Sequence, residues 1–320
     1  MPRPKTSYEL MANLARMYYV EKMSQEEIAK LAGFSRSQVS RILKRAWDAG
    51  IVQVRIVKPP EQRPNETADK LRASLNLKRA AVVSSDGTQA FIMRGLVAEA
   101  CILLEEVLQS AQGSQRTVGV SWGYTLAQFA ELIQPFDRYP DVTVVPLVGG
   151  IGQASPELQV NHIAQKVAHK LGGKCLQLYA PSLVDSEETL KRLLMENSVR
   201  EVTERWNSLT CAVVGIGTPD SVGRAGYFND KRFYDCVRRE VCGDVCVNFV
   251  DAEGKPVLPQ YRARTLACSP HQLRKVPYTI GVAFGRHKVQ AIRAAAKSGM
   301  INCLVTDRST AELILEGESF

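Results

Sequence analysis

SQEEIAKLAGFSRSQVSRILKR (Ser24 to Arg45) reads as two short helices across a tight turn, the second of them basic. Ser24 with Glu27 and Ser35 with Gln38 both have the S-x-x-E/Q spacing in which two side chains cap a first turn reciprocally. Two helices therefore begin here, and Gly33 stands where the first must stop, because a left-handed residue costs glycine least. Apolar residues at Ile28, Leu31 and Ala32, and again at Val39, Ile42, Leu43 and Ala46, give each helix one face to bury. The other face of the second helix holds Arg36, Ser37, Gln38, Arg41, Lys44 and Arg45. Arginine and glutamine near the start of such a helix suit base edges in a major groove, whereas Lys44 and Arg45 suit phosphates. An ordinary solvated basic helix is the plain alternative. Cap, turn, cap and basic face coincide in one short window, and that coincidence favours double-stranded DNA as the partner.

Charge is distributed accordingly. Residues 1–58 hold 11 Lys/Arg against 5 Asp/Glu, and the remaining chain 30 against 28, out of a net +8. With 45% hydrophobic residues and a mean hydropathy of -0.14, the 320-residue chain can bury the cores of two domains. No apolar run approaches a membrane span, and MPRPKTSYEL lacks the apolar core of a signal peptide, so a cytoplasmic location is expected. The eight cysteines are scattered, several in strand-like runs (Cys175, Cys211, Cys303), which fits reduced core thiols better than a disulfide framework. Cys236, Cys242 and Cys246 lack zinc-site spacing, so neither metal nor cofactor is expected.

A helix from about Glu9 to Met23, with Leu10, Leu14, Met17 and Tyr18 on one face, would buttress the pair. After Gly50, IVQVRIV (Ile51 to Val57) reads as a strand, making the head a winged helix-turn-helix, with Arg55 and Lys58 near phosphates. KPPEQRP (Lys58 to Pro64) marks a stiff linker. The expected domains are thus residues 1–57, a linker at 58–64, and a second domain over 65–320.

Beyond the linker, strands alternate with helices, the pattern of an α/β domain with a Rossmann-like, doubly wound parallel sheet. A helix over Glu66 to Leu75 precedes strand AAVVSS (Ala80 to Ser85) and a long helix from about Phe91 to Leu108. A strand, a loop with Gly119 and Gly123 and a helix follow over Arg116 to Ile133, and the strand-then-glycine pattern recurs at Val142 to Gly152, Cys211 to Gly217 and Thr279 to Gly285. A helix through Val160 to Leu171 leads to strand CLQLYAP (Cys175 to Pro181), and GDVCVNFVDAEGKPV (Gly243 to Val257) reads as a strand turning between Asp251 and Gly254. INCLVTD (Ile301 to Asp307) and a helix from Ser309 close the chain.

Ligands of open parallel sheets bind at the carboxyl ends of the strands. GVSWGYT (Gly119 to Thr125) carries most weight there: Gly119 and Gly123 admit an anion to the backbone, Ser121 and Thr125 offer hydroxyls, and the next helix presents free amides. A ligand-free tight turn is the alternative for any single loop, and several loops converging on one edge favour a site. Lys288 would add a point positive charge, unless it is a solvated helix lysine. Asp307 either accepts from sugar hydroxyls or caps the last helix. Asp185 reads as a helix cap with Glu188.

GVSWGYTL, VVPLVGGIG, LYAP, VVGIGTP, GDVCVNFVDAEG and GRHKVQAIRAAAKSGMINCLVTDRSTAELIL, in this order and spacing, make the chain resemble the SorC/DeoR-type bacterial transcriptional regulators. The resemblance covers nearly the whole length. It implies a helix-turn-helix head joined to an effector domain related in fold to glucosamine-6-phosphate deaminase and ribose-5-phosphate isomerase. It further implies a homo-oligomer, dimer or tetramer, binding operator DNA of a carbohydrate or polyol operon under control of a phosphorylated sugar or polyol. Residue by residue, Ser121, Gly123 and Thr125 match the phosphate loop, Gly149 and Gly150 the second loop, and Lys288 the late G-x-x-K lysine. Trp122 within the first loop and Gly217 after the G-I-G strand complete the expected effector set with Gly119 and Asp307. The sequence departs from relatives at Ala283, Phe284 and Gly285, where two adjacent glycines are common. Some similar proteins hold an aldehyde sugar through a Schiff-base lysine near the second loop, but Val142 to Gly152 contains none, so covalent capture is not expected.

The competing reading is an isomerase- or deaminase-like enzyme with an appended head. GIGTPDSVGRAGYFND (Gly215 to Asp230) lacks the histidine that the deaminases carry there, and no paired carboxylate and histidine has general acid/base spacing, so no catalytic residue is assigned. A second domain serving oligomerisation alone is a third reading, disfavoured by glycine loops with a lysine partner.

Overall fold

The computed structural model describes residues 7–52, 66–111, 115–134, 139–152, 155–224 and 231–317. The chain forms two compact units, Met1–Gln62 and Arg63–Phe320. The expected linker and most of the expected wing strand, with Arg55 and Lys58, lie outside the described residues. Ile51 and Val52, at its start, are not in a strand.

In the first unit, α1 (Tyr8–Ala15) runs into a π-helical turn at Arg16–Val20, so the expected single helix to Met23 stops early. α2 (Gln25–Ala32) and α3 (Arg36–Asp48) follow, each opened by a complete capping box, and Gly33 closes α2 at φ +71°. Their core joins Met11 and Leu14 of α1 to Ile28, Ala29, Val39, Ile42, Leu43 and Ala46. Leu31, expected in that core, is 66% exposed: the buried arc of α2 runs through Ile28, Ala32 and Ala29, and Leu31 falls on its flank.

The second unit begins with α4 (Glu66–Ser74), β1 (Arg79–Val83), α5 (Gln89–Ser110), β2 (Arg116–Val120), α6 (Tyr124–Leu132) and β3 (Val142–Pro146). It continues through α7 (Val160–Leu171), β4 (Lys174–Cys175), α8 (Glu187–Met195), α9 (Asn197–Arg205), β5 (Cys211–Gly215), α10 (Pro219–Arg224) and α11 (Lys231–Glu240). A hairpin of β6 (Gly243–Val245) and β7 (Asn248–Val250) follows, then α12 (Pro259–Arg262), α13 (Pro270–Lys275), β8 (Tyr278–Val282), α14 (Val289–Lys297), β9 (Cys303–Asp307) and α15 (Arg308–Glu316).

Seven strands form one parallel sheet in the order β1-β9-β8-β5-β2-β3-β4. Alternate side chains of each strand enter different cores. Ala212, Val214 and Leu304 join a cluster on one face, while Cys211, Val213, Cys303 and Val305 join the cluster under α5, α6 and α7 on the other. Both faces are covered, which explains the near-continuous apolar strands. From β2 the chain moves outward through β3 to β4, whereas from β5 it moves the opposite way, so a crevice opens where β2 and β5 meet.

Three local readings are corrected. The expected strand from Cys175 to Pro181 pairs in the sheet over Lys174–Cys175 alone. The stretch from Gly243 turns first at Cys246 and Val247, both at positive φ (53° and 60°), before its second turn at Asp251 to Gly254. Asn248 clamps that first turn, its Nδ2 donating to the carbonyls of Val245, Cys246 and Cys268. Ser186, not Asp185, caps α8, accepting from the Thr189 amide. All eight cysteines are free, and burial pushes the Cys211 and Cys268 thiols up to about 12, so they are inert at neutral pH.

Candidate functional site

In the head, the six expected DNA-contacting side chains, Arg36, Ser37, Gln38, Arg41, Lys44 and Arg45, are all exposed on α3. Gln38 is partly committed: its Oε1 accepts from the Ser35 backbone amide at 2.8 Å, while its backbone N–H donates to Ser35 Oγ at 3.2 Å. A bidentate contact to adenine needs that oxygen, so Gln38 reads a base through both groups only by opening the cap. Arg41 Nε donates to the Ser37 carbonyl, and Ser37 Oγ lies 3.0 Å from Ser35 Oγ.

In the second unit, a cavity of about 970 Å³ sits over the carboxyl ends of β2, β5 and β8 and reaches the segment after β3. It is walled by the loop after β2, which carries Ser121, Trp122, Gly123 and Thr125, by Gly217 after β5, and by Gly285 to Lys288 after β8. Gly123 precedes α6 at φ 105°, a conformation that L side chains rarely adopt. The Gly123 carbonyl accepts the first helical bond, from Ala127, leaving the preceding first-turn amides available to an anion. Ser121 is buried, and its Oγ accepts from the Gly215 amide at 3.1 Å, tying the end of β2 to the end of β5.

Lys288 ends a 3-10 turn, Arg286–Lys288, and is half-buried, its Nζ donating to the Ile216 carbonyl at 2.6 Å. Its environment is therefore the cavity wall, not the solvated helix surface. Beside it lies Asp244, which the sequence reading did not single out. Asp244 is 7% exposed, and its Oδ1 has no hydrogen-bond partner. Burial raises its pKa from 3.8 to about 7, with the Lys288 charge and the Val247 amide opposing the rise. Gly217 makes this approach possible: the two backbones exchange hydrogen bonds, and a Cβ on Gly217 would stand 2.7 Å from Asp244 Oδ2. One signal was available in the sequence, a lone acid inside the apolar run VCGDVCVNFV, where an unpaired charge is costly.

Four expected effector residues do not line the cavity. Gly119 lies within β2, where a Cβ would meet Leu147 Cδ2 at 2.5 Å, and Gly149 lies against the Pro181–Ser182 backbone, so close packing accounts for both. Gly150 pairs with the Pro181 segment. Asp307 occupies the cap position of α15 without capping it; its Oδ2 instead accepts from Ser85 and Ser309 hydroxyls. Burial alone would raise its pKa, but the Ser309, Thr310 and Ser85 hydroxyls outweigh this and hold the carboxyl below its ordinary value. Among the described residues no group of His, Cys, Asp and Glu is arranged to hold a metal ion, and no helix is long and apolar enough to cross a membrane.

Residues 60–316 match the family described as "Putative sugar-binding domain", and residues 14–49 match sigma-70 region 4. The sorbitol operon regulator of Klebsiella pneumoniae is 30% identical over 315 residues, covering 96% of this chain and 98% of its own. The deoxyribonucleoside regulator of Bacillus subtilis (strain 168) is 28% identical over 311 residues, covering 96% and 97%. The crystal structure of the full-length Klebsiella pneumoniae regulator SorC superposes with a TM-score of 0.72 at 27% identity, over 97% of this chain and all of that one. Both ends of the chain, head and sheet domain, are thus matched in order by single proteins, and the chain belongs to the SorC/DeoR-type transcriptional regulators, in which a helix-turn-helix head is joined to a sugar-binding domain.

Proposed function

We infer that the cavity binds a phosphorylated sugar or polyol and that its occupancy sets the affinity of the head for operator DNA of a carbohydrate or polyol operon. One observation carries the reading: the free first-turn amides of α6 and the Lys288 ammonium share a cavity with Asp244, a buried carboxylate with an unpartnered oxygen. Amides and ammonium suit phosphate oxygens, and the carboxylate suits hydroxyls. The phosphate therefore engages the loop from Ser121 to Thr125 with Lys288, and the hydroxyls meet Asp244 and the Gly217 loop. The names of two relatives, a sorbitol operon regulator and a deoxyribonucleoside regulator, support effectors of this class.

The head reads base edges through Arg36 and Arg41, with Ser37, Gln38, Lys44 and Arg45 placing α3 on the duplex. Reading paired half-sites requires at least a dimer. Occupancy moves the DNA equilibrium only as far as the effector binds the operator-competent and incompetent assemblies unequally. Calorimetric titration with a panel of sugar and polyol phosphates tests the site, with Lys288→Ala as control. Absence of binding by every phosphorylated compound, or unchanged binding by the variant, refutes the phosphate assignment. Turnover of any of these compounds would support the enzyme reading instead.

A further inference from the structure

The cavity is larger than the phosphate site needs. It spans the ends of three neighbouring strands, β8, β5 and β2, and reaches the segment after β3. Two interstrand spacings, roughly 10 Å, separate the loops after β8 and β2, and Ile151 and Leu158 of the segment after β3 line the cavity as well. A fully extended six-carbon chain with its phosphate is roughly 10 Å long by standard bond lengths. The volume of about 970 Å³ likewise lies near the top of the range for small-molecule pockets.

The two ends differ in chemistry. At the β8 end stand Arg286, His287 and Lys288. At the β3 end stand Ile151 and Leu158, with Ser155 between them in the chain. The stretch from Gly149 to Gln159, GGIGQASPELQ, contains no Lys or Arg, and its one charged residue is Glu157. Gln159 is tied back to Ile151: its Nε2 donates to the Ile151 carbonyl at 2.6 Å, and its Oε1 accepts from the Ile151 amide at 3.2 Å. Trp122, half-buried, lines the cavity on the intervening β2 loop and supplies an aromatic surface. None of the described lining residues after β3 is a cation, so a second phosphate there would be desolvated uncompensated, whereas an uncharged ring would cover apolar wall.

Resting on the phosphate site inferred above, we propose that the effector is a sugar phosphate extended by an uncharged glycosyl unit, with that unit over Ile151 and Leu158. The test is calorimetric titration of the full chain with monosaccharide phosphates (glucose 6-phosphate, fructose 6-phosphate), a bisphosphate (fructose 1,6-bisphosphate) and disaccharide phosphates (maltose 6′-phosphate, trehalose 6-phosphate, sucrose 6-phosphate). At least one disaccharide phosphate binds tenfold or more tightly than the monosaccharide phosphates, and the bisphosphate gains nothing over them. Leu158→Arg, and more mildly Leu158→Ala, removes the gain while leaving monosaccharide phosphate affinity unchanged. Monosaccharide phosphates binding as tightly as every disaccharide phosphate, tightest binding by the bisphosphate, or a gain that survives Leu158→Arg overturns the proposal while leaving the phosphate site standing. Failure of every phosphorylated compound to bind overturns both.

Discussion

Asp244 makes the stability of the second unit depend on pH in a direction opposite to that of most carboxylates. Its pKa is about 7 in the folded chain against 3.8 for an ordinary aspartate, because burial opposes its charge. Below pH 3.8 the carboxyl is protonated in both states and contributes no pH dependence. Between 3.8 and 7 only the unfolded chain is ionised, so unfolding releases a proton and stability falls as pH rises. Above 7 the folded form is ionised too, and the loss is complete. The gap between the two values corresponds to on the order of 4 kcal/mol. Urea unfolding at pH 5 and pH 8 measures it, followed by fluorescence in a Trp47→Phe background so that the two remaining tryptophans, Trp122 and Trp206, both report on this unit. Because the unfolded carboxyl is already largely ionised at pH 5, the expected result is stability lower at pH 8 by about 3 kcal/mol, the two pH units from 5 to 7, with Asp244→Asn largely abolishing the difference. Equal stability at the two pH values, or the same pH slope in Asp244→Asn, would refute the assignment of a desolvated acid at this position.

Arg36→Ala and Arg41→Ala should each cost about 1–3 kcal/mol on cognate operator and far less on random DNA in fluorescence anisotropy, whereas Lys44→Ala and Arg45→Ala should mainly reduce the salt slope. Equal losses on both DNAs would move the two arginines into the phosphate-contacting class. Ser35→Ala should destabilise the head by about 1 kcal/mol through the lost cap, while Gln38→Glu keeps the box, as Glu27 does for α2, and removes only the amide donors; a larger stability loss for Gln38→Glu than for Ser35→Ala in thermal melts would contradict this. Gly119→Ala forces a Cβ to within 2.5 Å of Leu147 and should cost about 1–3 kcal/mol of stability with effector affinity retained. Gly123→Ala meets no atom within 4 Å but strains a φ of 105°, at about 1–3 kcal/mol, and should weaken phosphate binding in the same titration; retained affinity would remove this loop from the site.

What the sequence makes legible depends on how local its cause is. Ser24 with Glu27 and Ser35 with Gln38 act within one turn of helix, so spacing alone places both caps. Gly33 and Gly172 end helices by the same local logic, each near φ +70°. The parallel sheet is visible because strands buried on both faces lose their polar alternation. Failures occur where a residue's role is set by a distant partner. Gly119 and Gly123 are four positions apart in one motif, yet the first is required by Leu147, just past the end of the neighbouring β3, and the second by its own φ. Asp307 looks like a ligand or a cap until Ser85, more than two hundred positions away, donates to it. Two buried acids, Asp307 at the end of β9 and Asp244 in the β6–β7 hairpin, differ in this way. Each buries one oxygen without a hydrogen-bond partner, but the other oxygen of Asp307 accepts from the Ser85 and Ser309 hydroxyls and its carboxyl is held below its ordinary pKa, while Asp244, beside Lys288 in the cavity lining, is raised by burial. An acid whose charged form already holds hydroxyl donors gains little from a ligand; an acid lining a cavity, whose charge burial disfavours, gains most from one that brings hydroxyls. Effector binding should therefore lower the apparent pKa of Asp244, and proton release on titration, read from the buffer dependence of the calorimetric enthalpy near pH 7, should accompany it. Binding with no proton exchange in Asp244-containing protein would show that the ligand's hydroxyls bind elsewhere.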